Sequence, residues 1–406
     1  MIILFIIATC INCFIFCSTQ YEHKHIVFPF HKTTHMYSNF TYAIVSSNIS
    51  IGTPPEDIQV SFSSQLYLSF IFDKEFNGNG FSALTSKTFS SKDEYIVSLT
   101  FREFFHYVKF SYDLIRIPNE RSSYDMVTFP FYYDLTYNNF DCNGGIIGVN
   151  IGKDKVSPNK KEMNSLLNVL YKEQLVSYET VSVDYNKEVI VFGKDIKEYK
   201  EKLKMKCNCN ESKWMCMIHN FNGISILEPQ TDASSVLFMF ESEFSMCPER
   251  YFDYIRVVYL KHEFKEQICK VELTESNQYY YIICNHNINI NKLPPITFEF
   301  NNKTNTLSLS PQELFTKKDN NYIFLFRYHI NIKHWIFGYS FLTSTNTTIH
   351  YDFHNKHIHI FNNETPSSKD EHIIILLLIK LTTYINIISL MLLLIYLYLN
   401  HTIKFK

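Results

Sequence analysis

The amino-acid sequence predicts a mostly β fold arranged as two lobes and followed by one C-terminal transmembrane helix. Three observations carry that prediction. Residues 37–361 hold many short runs rich in Val, Ile, Tyr, Phe and Thr, broken by Gly, Pro and Asn, and few stretches of helical period. The chain has 406 residues, 46% of them hydrophobic and only 19% charged. Such a composition must bury a large core, and the length divides into two or three domains, with two lobes the default. Finally, residues 373–399 are strongly apolar, and 381–399 supply 19 uncharged residues in a row, enough for one bilayer crossing.

Charge narrows the function classes. Lys and Arg together number 38 against 40 for Asp and Glu, a formal net charge of −2, so the basic footprint of a nucleic-acid binder is missing. The 36 Phe and 28 Tyr against 10 Gly fit an A+T-rich coding bias, which speaks of ancestry rather than mechanism.

Taken in order, residues 1–18 read as a signal peptide. The run to Cys17 is apolar and free of acidic residues, and Ser18, Thr19 and Gln20 offer a small polar stop. An uncleaved anchor is the competing reading, because a basic leader is missing. Residues 19–36 form a short N-terminal segment, 37–195 a first β lobe, 196–362 a second, and 363–372 a linker to the span at 373–399. Lys380 can snorkel from the end of the span. Lys369, Asp370 and Glu371 flank one side, and the tail 400–406 carries Lys404 and Lys406. The positive-inside bias then puts the tail in the cytoplasm and the body in the lumen or outside, a single-pass type I membrane protein of the secretory pathway. A lipid-anchor signal using Ser367 and Ser368 is the rival.

Of the ten cysteines, Cys10, Cys13 and Cys17 lie in the leader and Cys142 is the odd one out. Cys207, Cys209, Cys216, Cys247, Cys269 and Cys284 crowd the second half, and in a secretory compartment they are expected to pair, in an order that sequence leaves open. Sequons at Asn39, Asn48, Asn210, Asn302, Asn346 and Asn363 agree with a glycosylated lumenal body, and one at Asn400 should stay unmodified.

Within the body, strands are expected at 42–51, 57–63, 95–101, 108–117, 181–192, 297–300 and 347–360, and helices at 164–173 and 248–256. No exact repeat is visible. The lysine-rich stretch 194–209 is the best boundary between lobes.

Several of these blocks together carry a resemblance. Residues 42–60 (YAIVSSNISIGTPPEDIQV) look like the opening hairpin of the pepsin-like aspartic proteases. Residues 95–117 resemble that family's flap hairpin, and 143–149 (NGGIIGV) its Asp-Gly-Ile-Leu-Gly-Leu turn. Residues 165–192 resemble the segment closing the first lobe, 284–315 with LPPITFEF a second-lobe segment, and 335–342 (WIFGYSFL) the Trp-Ile-Leu-Gly-Asp block. Their order and spacing are those of the family, with plasmepsin-like members nearest in flavour, and they cover nearly the whole lumenal body. The resemblance implies a bilobal acid-protease fold with a peptide-binding cleft between the lobes.

It also implies chemistry that the residues do not supply. The family's two catalytic aspartates, one per lobe, share a proton around a water, so that one acts as base while the other polarises the peptide carbonyl. Counted from Gly52-Thr53-Pro54-Pro55, the first catalytic position falls on Ser63, followed by Ser64 and Gln65. Counted back from Cys247-Pro248, the second falls on Met239, followed by Phe240 and Glu241. Neither is an acid, Gln65 and Glu241 stand where the family has glycine, and Phe101 replaces the flap tyrosine. General acid and base contributions of about 10²–10⁴ each are lost. Rescue by Glu241 or Glu243 needs a carboxylate in the cleft opposite another acid, whereas both are expected in a solvated loop. The short stretch before Tyr37 also leaves little room for the basic prosegment that restrains family zymogens.

Other candidates are bland. His23 with His25, and His357 with His359, are expected to be solvated rather than metal-bound. Cys207, Cys209 and Cys216 read as disulfide partners before a metal knuckle. Asp113 and Asp352 are expected to be structural, and 141–143 with Gly145 to shape a turn. The sequence thus points to a membrane-anchored, catalytically inactive homologue of the pepsin-like proteases, without metal or cofactor, whose cleft (Ser63, Ser64, Gln65, Phe101, Met239, Phe240 and Glu241) binds a peptide or protein. An active aspartic-type endopeptidase using unrecognised carboxylates is the alternative, and a purely structural surface protein with a filled groove is a third possibility.

Overall fold

The computed structural model describes residues 24–37, 40–66, 68–76, 78–99, 104–118, 124–135, 144–150, 165–199, 202–209, 214–225, 234–274, 279–300 and 305–363. The fold is mostly β, as the density of β-branched and aromatic residues requires. Among the described residues no helix is long and apolar enough to cross a membrane. The signal-peptide and span calls at 1–18 and 373–399, the tail 400–406, residues 141–143, Phe101, Cys142, His23 and the sequons at Asn39, Asn210, Asn302 and Asn400 lie outside the described residues.

The sheets sort by chain half. An eight-stranded sheet uses only strands between His31 and Gly148, with Glu56–Ser63 near its centre, between Phe40–Ile51 and Gly145–Gly148. A second eight-stranded sheet and a four-stranded one use only strands from Met215 to Phe337. A six-stranded sheet draws on both halves, because Thr180–Asp184 of the first pairs antiparallel with Thr347–Asp352 of the second. One continuous apolar cluster runs through all of this, from Phe28, Phe62 and Phe192 to Trp214, Phe298 and Trp335.

Local chemistry explains the elements. In Glu56–Ser63 the period-two alternation sends Ile58, Val60 and Phe62 into the core and leaves Ser61 and Ser63 on the opposite, also covered, face. The turn before it holds Gly52 at φ +86°, where a Cβ would fall 2.9 Å from Ser86 Oγ, so glycine is needed. The expected strand at 181–192 is two, Thr180–Asp184 and Val189–Phe192, joined by a turn with Glu188 at φ 51°. That at 347–360 likewise divides into Thr347–Asp352 and His357–Asn362 around Lys356 at φ 55°. Helix Leu166–Lys172 is capped by Ser165, and Glu249–Tyr254 starts after Pro248 and runs on as a π-turn through Tyr259. Strands Ser90–Leu99 and Phe104–Pro118 form an antiparallel pair. The lysine-rich stretch at 194–209 contains an edge strand, Lys202–Asn208, paired with His357–Asn362.

Three expectations are corrected. Only four of the six cysteines pair: Cys207 with Cys216 and Cys269 with Cys284. Cys209 and Cys247 stay as buried thiols; burial holds both in the protonated form, raising their pKa values. Residues 357 and 359 are not a solvated histidine pair, since His359 is buried and faces buried His350 on the neighbouring strand. Phe240 is not a cleft residue either; it is buried with its ring against Trp214, centroids 5.6 Å apart. Asp113 and Asp352 do hold local structure. Asp113 accepts from Thr88 and from the Leu114 amide, and Asp352 from the amide and side chain of Asn355. Asn48 is exposed, while Asn346 is half-buried against Asn186.

Candidate functional site

The two positions reached by counting along the sequence sit on a duplicated loop. Ser63 ends a strand that runs parallel to Gly145–Gly148, with Ser63 opposite Gly148. In the other half Ser235–Phe238 runs parallel to Trp335–Phe337, with Phe238 opposite Phe337, and Met239 follows immediately, its amide donating to Phe337 O at 3.1 Å. The amide of Gly148 donates to Ser69 Oγ at 3.3 Å, and that of Gly338 to Ser245 Oγ at 3.2 Å. Each of these serines lies the same number of residues beyond Ser63 or Met239.

The glycines are matched as well. A Cβ on Gly148 would fall 2.6 Å from the carbonyl oxygens of Leu66 and Leu68, and one on Gly338 would fall 2.5 Å from those of Ser242 and Phe244. Each loop therefore wraps its glycine so closely that no side chain fits. The sequences of the loops share little beyond the serine and the glycine, which is why the repeat is invisible in the sequence and plain in the hydrogen bonds.

What joins the two loops is Glu241. Its Oε1 accepts from Ser63 Oγ at 2.9 Å, the Ser64 amide at 3.1 Å and the Gln65 amide at 3.3 Å, and its Oε2 accepts from Ser64 Oγ at 2.7 Å. The Gln65 amide also reaches Ser63 Oγ at 3.2 Å, and its side chain donates to Ser64 Oγ at 3.3 Å. The expectation of a solvated Glu241 is overturned. The carboxylate reaches across and takes the donors that the first loop presents, since Ser63 and Ser64 are themselves buried and need acceptors. Desolvation raises its pKa; the hydrogen bonds from Ser64 and Ser63 oppose this, and the net direction is up. Tyr185 steadies the same loop by donating to the Phe240 carbonyl.

Glu243 is not solvated either. Burial raises its pKa against the pull of Lys32 and Arg327, and its Oε2 is buried without a hydrogen-bond partner. Lys32 Nζ lies over the Tyr339 ring, 3.3 Å from the centroid, and the Arg327 guanidinium lies over Phe244, also at 3.3 Å. Met239, half-buried, joins Phe244 and Ile332 on a small apolar cluster formed by Met246, Tyr279 and Ile336, separate from the main core. Lys32, Tyr185, Arg327 and Tyr339 were not legible as site residues, because each comes from a different part of the chain and carries no motif.

Chemically the site holds one carboxylate bonded to two hydroxyls and two amides. A base–acid pair of carboxyl groups is a different arrangement, and Glu241 has no acidic partner among its hydrogen bonds. Elsewhere, the sulfurs of Cys207, Cys209 and Cys216 lie within 4.8 Å of one another, a spacing that suits a metal. Two of them are joined as a disulfide, and a disulfide sulfur is not the thiolate that a metal binds. No protein-family model matches the chain, and no curated protein matches it either.

Proposed function

We propose that this protein is a membrane-anchored homologue of the pepsin-like aspartic proteases that has lost peptide-bond cleavage and acts by binding a peptide or protein. The observation carrying this is the Glu241 bridge. At the point where the duplicated loops meet, serine and methionine stand where acids would be needed, and the carboxylate that is present is engaged with hydroxyl and amide donors. A water poised between two carboxyls, one protonated and one not, has no counterpart in that arrangement.

Binding is supported by what surrounds the bridge. Met239, Phe244 and Ile332 form a partly exposed, adaptable apolar surface, of the kind on which thioether and aromatic side chains accommodate varied partners. The Ser90–Leu99 and Phe104–Pro118 hairpin belongs to the same sheet as Ser63. A ligand strand held by backbone hydrogen bonds, with side chains in alternate pockets, is the mode this supports. A lumenal or extracellular body with a type I span, glycosylated at exposed sequons such as Asn48, belongs to the same proposal.

The alternative of an active aspartic endopeptidase requires a second carboxyl group bonded at this site. The test is to incubate the full chain in detergent micelles with a peptide library at acidic and neutral pH, with and without a transition-state-mimicking inhibitor. Retention without cleavage is expected; inhibitor-sensitive cleavage contradicts the proposal, and neither retention nor cleavage leaves the structural surface role.

A further inference from the structure

At the second copy of the loop two charged groups lie close together, Glu243 on the loop and Arg327 on the strand Phe326–Arg327 that pairs with Ser245–Met246. The Arg327 guanidinium lies on Phe244, with the Tyr281 ring 5.6 Å away. Among the described residues it makes no hydrogen bond or ion pair with any acceptor. None of its nitrogens is among the buried polar atoms without a partner, so the half-buried fork of N–H donors opens to solvent and is free to meet an oxygen from outside the chain. The carboxylate of Glu243 attracts it from beyond bonding range, and Glu243 Oε2 has no donor of its own. Burial lowers the guanidinium's pKa to about 10, against the pull of Glu243. It is still charged at neutral pH.

Beside this pair lies the partly exposed surface of Met239, Phe244 and Ile332. A cation stacked on a ring, with its fork unfilled and an apolar platform next to it, suits an acidic residue flanked by a hydrophobic one. We propose that Arg327 anchors a carboxylate of the bound peptide, whose neighbouring apolar residue rests on Met239 and Phe244. This rests on the peptide-binding function proposed above and specifies its ligand class.

The test uses the full chain in detergent micelles and fluorescent peptides, each containing one apolar and one variable position. Peptides with Asp or Glu at the variable position are compared with matched Asn or Gln peptides. Free chain ends are compared with amidated ones, to separate a side-chain carboxylate from a terminal one. The expected result is at least about tenfold tighter binding of the carboxylate-bearing set, a preference abolished by R327Q and weakened by R327K, which keeps the charge but loses the fork. Peptide binding with no acid preference, or a preference that survives R327Q, overturns the inference and leaves the binding function standing. Failure of every peptide to bind overturns both. If R327Q does not fold, R327K decides; and if R327Q and E243Q destabilise the chain strongly and non-additively, the two side chains pair with each other and the inference falls.

Discussion

Glu241 is the residue on which the site turns, and its substitutions separate a structural clasp from an acid catalyst. E241A leaves the Ser63 and Ser64 hydroxyls and the Ser64 and Gln65 amides without their acceptor, and should cost about 2–3 kcal/mol in urea unfolding. E241Q keeps an acceptor, lets the hydroxyls reorient and removes the buried charge, so it should stay within about 1 kcal/mol of the parent. S63D tests the same geometry from the other side, because it sets a second carboxyl beside the first. Like charges at that distance cannot both ionise. S63D should therefore lose stability at about pH 7 and recover most of it at about pH 4, where one proton is shared. An equal loss at both pH values would show that Glu241 does not face position 63.

At the scale of elements, the six-stranded sheet joins the chain halves through a buried contact, Ser182 Oγ to His350 Nδ1 at 2.9 Å. Opposite His350 on the next strand is His359. Burial, aided by each ring's basic neighbours, pushes His350 down to about 3 and His359 down to about 4. Lys194, Lys206 and His357 act in the same direction, while Asp352 and Asp195 pull the other way. Both imidazoles are thus held neutral in the fold, whereas the unfolded chain protonates them near the ordinary value of about 6.5. Their contribution is complete above that value and is lost as pH falls toward about 4 and then about 3. Glu241 has the opposite sign: its raised pKa favours the fold at low pH, and that contribution fades as pH rises through it. H359F should flatten the acid dependence by roughly one proton, about 1.4 kcal/mol per pH unit, in urea titrations between about pH 6 and about pH 4. An unchanged slope would mean that His359 is not held neutral.

For the whole molecule, the strand content was legible because period-two alternation and turn residues are local signals; Glu56–Ser63 and the strands around Lys356 are examples. Positions 63 and 239 could be counted out because glycine and proline punctuate the chain near them. Burial of charge was not legible. Glu241 and Glu243 look like any surface acids until the fold sets Ser63, Ser64, Lys32 and Arg327 around them. His359 looks solvated until a second strand places His350 opposite. The disulfides escaped for a related reason, since six cysteines in one half admit several pairings and only the register Cys269↔Cys284 or the approach of Cys207 to Cys216 selects among them.

The central proposal is that the two loops are arranged as in a protease but lack the paired acids. Hydrolysis of a peptide library by the purified full chain, followed by mass spectrometry from about pH 3 to about pH 8, tests it most directly. No cleavage above the buffer rate is predicted at any pH. Turnover that a transition-state-mimicking inhibitor blocks and E241Q abolishes would contradict it.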